Sequence, residues 1–431
     1  MFEKAKNLTK SKFVRNVAIV ASGTAGAQAI SMAFSPFVTR LYGPEAFGML
    51  GTFMAVIAIL VPTAALAYPI AIVLPKSDTD AKNLAKLSAA LAFGVAIITA
   101  TMLIIVGDWM AEMLGLEAIK SFLILIPVAM FFSAFHQILT QWLIRKKQFK
   151  IGARVAIMHA LLINSSKIGI GFLYPVGAAL IVLATTGQAL HALLLWLGVR
   201  SRDGALPIND ENTGSIRELA KRHSDFPLFR APQITINAFS QSLPVLMLAS
   251  LFGPSSAGFY SLGRMVMGVP LTLIAKSVGD VFYSRVTEAI NNKDNIFKLI
   301  LDATLTLFVI GIFPFALVIA FGPWLFSLVF GSEWAMGGEY ARWLAVWLFF
   351  GFMNSPSVAA MPALGMQKWL LFYEIFSTGS KVAALFLGFF YFNDDLAAIA
   401  FMCVAGVFAY SALITKVLFK AYRSDQEGKL I

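Results

Sequence analysis

Charge is scarce in this chain. Only 13% of its 431 residues are Asp, Glu, Lys or Arg, about half the share found in an ordinary soluble domain. One cysteine, Cys403, lies in an apolar run, so neither an internal disulfide nor a thiolate metal cluster is available. Histidines number four, and no His-Glu-x-x-His or Cys/His group has metal-ligand spacing. No Gly-x-x-x-x-Gly-Lys-Ser/Thr loop exists, which excludes nucleotide binding of the P-loop kind. Carboxylates paired for acid-base work on a soluble face are also missing, so no catalytic residue, metal or cofactor is expected, and the chain reads as a non-enzyme.

What is abundant is apolar length. The composition is 58% hydrophobic with a mean hydropathy of +0.77, and runs of roughly 20 apolar residues recur, long enough to cross about 30 Å of hydrocarbon as helices. Lipid offers the backbone no hydrogen-bond partner, so these runs must be helical. Spans fall near residues 14–38, 46–74, 84–106, 119–144, 151–173, 176–199, 232–252, 257–287, 296–321, 340–365, 367–391 and 396–419. The fold class expected is all-α integral membrane, with about 12 transmembrane helices in two pseudo-symmetric six-helix lobes.

The net charge of +11 does not point to nucleic acid, because the basic residues cluster in short loops between spans. With both termini cytoplasmic, 27 of the 34 Lys and Arg fall in cytoplasmic segments, three (Arg40, Lys120, Arg342) lie outside and four lie within spans. Anionic head groups of membrane lipids are their natural partners. The first span follows Lys4, Lys6, Lys10, Lys12 and Arg15 without a cleavage pattern and is expected to be retained. The longest polar stretch, 200–231, reads as a cytoplasmic linker with a short amphipathic piece near Ile216 to Lys221. It divides an N-terminal lobe, 1–199, from a C-terminal lobe, 232–431.

The halves resemble each other. Leu41-Tyr-Gly-Pro-Glu-Ala-Phe-Gly48 recurs 210 residues later as Leu251-Phe-Gly-Pro-Ser-Ser-Ala-Gly258, and Gly107-Asp-Trp109 recurs at an offset of 215 as Gly322-Pro-Trp324. A tight Gly-Pro hairpin between the first two spans of each half accounts for the first match. An even number of spans per half makes the halves parallel, related by an axis along the membrane normal.

Four basic residues stand where lipid should be: Lys167, Arg264, Lys276 and Lys381. An embedded cation costs about 2.5–3.5 kcal/mol at the bilayer centre and is tolerated beside water or counter-charge. Lys276 has an i,i+4 partner in Asp280; a cavity-facing cation is the other reading, and the two are compatible. Arg264 can snorkel, bond a neighbouring helix or touch cargo. Lys167 and Lys381 each follow a serine and each stand 13 residues beyond a basic residue, Arg154 or Lys368, which places them at equal depth in the fifth span of each half. Asp280 and Glu374 are candidates for ion coupling, against a solvated position near a helix end. His159 and His191 can relay protons or simply bond neighbouring helices.

Several motifs resemble the Wzx-type polysaccharide flippases of the multidrug/oligosaccharidyl-lipid/polysaccharide exporter superfamily. They are Ser35-Pro-Phe-Val-Thr-Arg-Leu-Tyr-Gly-Pro-Glu-Ala-Phe-Gly48, Ala71-Ile-Val-Leu-Pro-Lys76, Tyr260-Ser-Leu-Gly-Arg-Met-Val-Met-Gly-Val-Pro270 continuing to Val281-Phe-Tyr-Ser-Arg285, and Phe330-Gly-Ser-Glu-Trp334 with Tyr340-Ala-Arg-Trp-Leu344. Ala67-Tyr-Pro-Ile70 departs from relatives that carry an arginine and a glutamate around this tyrosine. The resemblance implies two six-helix lobes around a cavity that opens alternately to either side. The cargo it implies is an undecaprenyl-pyrophosphate-linked oligosaccharide, moved across the cell inner membrane for O-antigen, capsule or exopolysaccharide assembly, with a polysaccharide polymerase as a possible partner. Two alternatives lie within the superfamily: a cation-coupled multidrug antiporter and a lipid II flippase. A membrane polymerase or ligase is a third, disfavoured by the lack of a large periplasmic loop.

Overall fold

The computed structural model describes residues 2–203, 215–292 and 294–429, with the side chains of 2–18, 20–21, 202–203, 269–281, 283–284, 291, 367–368, 371 and 427–429 outside the description. The chain is 89% helical and no strand occurs among the described residues. In order the helices are α1 (Phe2–Leu41), α2 (Pro44–Ala64), α3 (Tyr68–Ala71), α4 (Asp78–Met113), α5 (Leu125–Arg145), α6 (Phe149–Gly171), α7 (Gly177–Asp203), α8 (Ile216–Arg222), α9 (Ala231–Phe252), α10 (Pro254–Asn291), α11 (Ile296–Phe330), α12 (Ala335–Met353), α13 (Ser355–Ala360), α14 (Gln367–Phe392) and α15 (Asp395–Lys429). Only α3, α8 and α13 are short; each of the other twelve overlaps one of the twelve expected spans, with α12 stopping at Met353 and α13 taking up part of the run expected at 340–365. Among the described residues eight segments, from Pro44–Ala64 to Asp395–Gln426, are long and apolar enough to cross a membrane by length and composition. The chain is a multi-pass membrane protein.

Two compact units form, Met1–Ser250 and Leu251–Ile431, the boundary falling near the end of α9. Inside the first unit α5 packs on α2, α4 and α7, and α6 packs on α7. In the second, α12 packs on α10, α11 and α15, and α14 packs on α15. These pairings recur in the same order in both units, which gives the repeat read from the Gly-Pro loops a physical basis. Pro44 and Pro254 each sit at the start of a helix, where the missing N–H has no intrahelical partner to lose. Gly253 takes φ +91° at this turn, a conformation that a β-carbon disfavours.

Prolines inside helices are compensated locally. Pro36 cannot donate to the carbonyl of Met32, and the hydroxyl of Ser35 donates to that oxygen instead at 2.7 Å. Pro323 likewise leaves the carbonyl of Ile319 without its helical donor. Arg342 of α12 fills the gap: its Nε donates to Ile319 O at 2.8 Å and one terminal nitrogen donates to Ala320 O at 3.1 Å, while the other pairs with Glu339 at 3.0 Å. Arg342 reaches these carbonyls because α11 and α12 cross closely. A β-carbon on Gly322 would come within 2.6 Å of Gly338 O, and one on Gly338 would meet the Gly322 backbone. Helix pairing through small residues of this kind is common in membranes. The segment 322–339, expected as a loop, is therefore mostly helix, turning only at Gly331 and the 3-10 turn Ser332–Trp334.

A second departure concerns the run 46–74, expected as one span. Helix α2 stops at Ala64, Leu66 and Ala67 adopt left-handed φ of 49° and 58°, and α3 follows. Such residues cost about 1–3 kcal/mol each and persist where surrounding contacts impose them. Here Tyr68, Ala71 and Ile72 are buried with Leu84, Ile138, Trp142 and Leu219, and the Tyr68 hydroxyl donates to Ala220 O of α8 at 3.0 Å. Beyond α3, Arg145 donates to Pro75 O at 2.6 Å and Ile72 O at 3.3 Å and pairs with Asp78 at 2.9 Å. The amphipathic piece expected in the linker is α8, opened by a Ser215/Glu218 capping box and anchored by buried Leu219.

Candidate functional site

The embedded cations separate into two groups. Arg264 and Lys381 belong to the second unit and act on each other electrostatically. Arg264 lies on α10 one turn after Tyr260, whose fully buried hydroxyl accepts a hydrogen bond from it at 3.2 Å. The phenol of Tyr410, on α15, is also within its electrostatic reach. Lys381, on α14, sets its ammonium over the indole of Trp347 at 5.3 Å from the ring centroid, and Trp347 of α12 stacks on Tyr410 at 6.4 Å and 18°. Four helices of one unit thus bring two cations against an indole and two phenols. Among the described residues Lys381 has no carboxylate at ion-pair distance. Glu374, exposed and two turns earlier on α14, attracts Lys381 only over a longer range.

A cationic centre beside aromatic faces suits one chemistry well. Phosphate oxygens accept hydrogen bonds from guanidinium and ammonium groups, and the apolar C–H face of a sugar ring lies flat on an indole or a phenol. The cost of embedding two positive charges is high, and an indole recovers about 2 kcal/mol of it.

Lys167 stands apart, in the first unit. Its backbone carbonyl accepts the hydroxyl of fully buried Tyr42 at 2.9 Å, tying the end of α1 to α6, while its ammonium has no hydrogen-bond or ion-pair partner among the described residues. Lys167 and Lys381 each stand 13 residues beyond Arg154 or Lys368 on one continuous helix, but the two helices run on for different lengths past them. Lys167 is four residues from the end of α6 and Lys381 is eleven from the end of α14, or about 6 Å against about 16 Å of rise. Lys167 can therefore reach the nearer helix end, and Lys381 cannot. Lys276 and Asp280 belong to α10, but their side chains lie outside the described residues. Cys403 is free and fully buried, as its apolar surroundings suggested. Asn164 bonds Ser31 of α1 at 3.2 Å, a helix-to-helix tie.

Trp347, Tyr260 and Tyr410 escaped the sequence reading as site residues. Tyr260 was visible only as part of a motif, and in a chain with 38 Phe, 10 Tyr and 8 Trp nothing in periodicity separates a site aromatic from a packing one. His136 was missed for a different reason: its neighbours His159 and His191 are 23 and 55 residues away along the chain.

Comparison with known proteins agrees with this architecture. No curated protein sequence matches the chain. Among solved structures it is similar to an inward-facing multidrug resistance MATE family transporter of the MOP superfamily, with a TM-score of 0.73 and 15% identity over 96% of this chain and 99% of the other. The lipid II flippase MurJ in an inward closed conformation gives a TM-score of 0.73 and 11% identity over 96% and 91%. A MOP superfamily transporter from Pyrococcus furiosus gives 0.60 and 18% over 95% of each chain. At these identities the likeness concerns the fold. A family model described as polysaccharide biosynthesis protein matches residues 37–337, and the chain belongs to that family.

Proposed function

We propose that this protein is a flippase that carries a polyprenyl-pyrophosphate-linked oligosaccharide across the cytoplasmic membrane, from the cytoplasmic to the periplasmic leaflet. The observation that carries this reading is the Arg264–Lys381 pair beside Trp347 and Tyr410, in a chain of the polysaccharide biosynthesis family. Arg264 and Lys381 meet the pyrophosphate, and the Trp347 ring, stacked on Tyr410, holds the Lys381 ammonium in place. A cationic drug, the cargo of the multidrug alternative, would be repelled from the same place. The transporter works by alternating access, with both termini and the linker cytoplasmic and with lobes bounded at 199 and 232. Glu374 and Asp280 are candidates for ion coupling, Lys276 and Lys167 add positive field, and a polysaccharide polymerase is the partner that would take the product.

Deleting the gene tests the reading. Lipid-linked oligosaccharide should accumulate on the cytoplasmic leaflet while surface polysaccharide disappears, and reintroduced Arg264→Gln/Lys381→Gln protein should be made and inserted without restoring it. Unchanged glycans with heightened drug sensitivity would favour the antiporter.

A further inference from the structure

Three of the chain's four histidines meet in one stack inside the first unit. His191 of α7 is the middle ring, with its centroid 4.3 Å from His136 of α5 and 4.3 Å from His159 of α6. The ring planes are tilted by 53° on the first side and nearly parallel, at 13°, on the second. All three are half-buried. His159 Nε2 lies 3.0 Å from the carbonyl of Gly187, one turn before His191 on α7. A carbonyl only accepts, so Nε2 carries a hydrogen and donates, which leaves Nδ1 as the basic nitrogen of a neutral His159.

The arrangement is wrong for a metal. Nearly parallel rings send the in-plane lone pairs of His159 and His191 past one another instead of toward a common point, and no metal-holding group of three ligands occurs among the described residues. It suits a single proton. A second positive ring 4.3 Å away binds its proton on the order of 100-fold more weakly than the first, so the three rings titrate as one coupled unit.

Few other charges bear on the stack. Lys167, two turns beyond His159 on α6, acts on it directly. The remaining described charges on α5, α6 and α7 lie at helix ends: Arg145, Lys150, Arg154 and Arg200. Among the other helices packed on these three, α1 and α2 contribute Arg40 and Glu45 at their facing ends, and α4 contributes Asp78, Asp80, Lys82 and Lys86 near its start and Asp108 and Glu112 near its end.

We propose that the His136–His191–His159 stack is the proton-binding site of this transporter, taking up one proton from one side of the membrane and releasing it to the other in each transport cycle. The role in transport rests on the function proposed above; the proton site itself does not. Protonation changes the charge of a ring bonded across the α6–α7 interface, so it changes how those helices pack, and that is how the site is felt by the rest of the unit.

The test uses the full chain in lipid nanodiscs with 15N-labelled histidine, where four residues give a readable spectrum and His223, outside the stack, is the internal reference. Between pH 4 and 8 the ring signals of His136, His159 and His191 should move together and account for one proton in total. His191→Phe, which keeps a ring in the middle position, should split the response into two separate titrations. Three independent titrations in the wild type, one proton each, would overturn the site.

In a second arm, proteoliposomes report flipping of a lipid-linked oligosaccharide with and without a pH gradient. The gradient should accelerate the wild type several-fold, whereas His191→Phe should show no difference between its own rates with and without the gradient. Flipping by the wild type that ignores the gradient overturns the coupling and leaves the flippase reading standing. Gradient-driven proton release through a wild type that moves no lipid-linked saccharide supports the proton site and sinks the flippase reading.

Discussion

Lys381→Met separates a transport role for this lysine from a structural one. Methionine keeps the apolar stem against Trp347 and removes the charge. A lysine at the centre of a span costs about 2.5–3.5 kcal/mol, and the contact of its ammonium with the indole at 5.3 Å returns about 2 kcal/mol. Removing both should leave the protein more stable, by roughly 0.5–1.5 kcal/mol from the difference of those two figures; the longer-range attraction of Glu374 moves the value toward the lower end. Transport should move the other way. A charge-assisted hydrogen bond to phosphate contributes about 1.5–3 kcal/mol, so the rate with a pyrophosphate-linked substrate should fall about 10- to 100-fold. Thermal unfolding in nanodiscs and flipping by the same preparation provide the two readings. Loss of stability together with normal transport would refute the reasoning, since it would make Lys381 a packing residue.

Gly338→Ala should destabilise by about 1–3 kcal/mol through overpacking, because its new methyl meets the Gly322 backbone; thermal unfolding reads this, and an unchanged midpoint would mean that α11 and α12 can separate freely. Arg145→Ala removes the donors held by Pro75 O and Ile72 O and should cost about 2 kcal/mol, with faster proteolysis in 72–78 as the local signature. Cysteines placed at Asn209, which lies outside the described residues, and at Ser255, in a Cys403→Ala background, should differ toward an impermeant thiol reagent in whole cells. Labelling at Asn209 but not at Ser255 would invert the topology.

Element existence was legible because each span is a long apolar run between basic or turn-forming residues; each of the twelve long helices overlaps one of those runs. Where the reading failed, the cause was non-local. The break after Ala64 depends on Tyr68 reaching Ala220, 152 residues away, and on Arg145 clamping carbonyls about 70 residues upstream. The helical run through 322–339 depends on Arg342 substituting for the donor that Pro323 lacks. Arg342 stood out as a basic residue on the outer side and as part of the motif Tyr340-Ala-Arg-Trp-Leu344, neither of which shows that it would cap carbonyls of α11. Within the candidate site, Arg264 and Lys381 stood out because charge in an apolar run is conspicuous. Trp347, Tyr410 and His136 did not, since an aromatic or a lone histidine in such a run is ordinary until its neighbours from other helices are known.

The central claim is tested most directly by purified protein in liposomes holding a fluorescent polyprenyl-pyrophosphate-linked oligosaccharide in one leaflet, with a membrane-impermeant quencher reporting arrival at the other. The account predicts movement in the presence of the wild type, reduced at least tenfold by Arg264→Gln/Lys381→Gln at about one charged contact's worth of binding energy, with the variant equally folded. Transport of the lipid-linked oligosaccharide that is indifferent to both substitutions would contradict it.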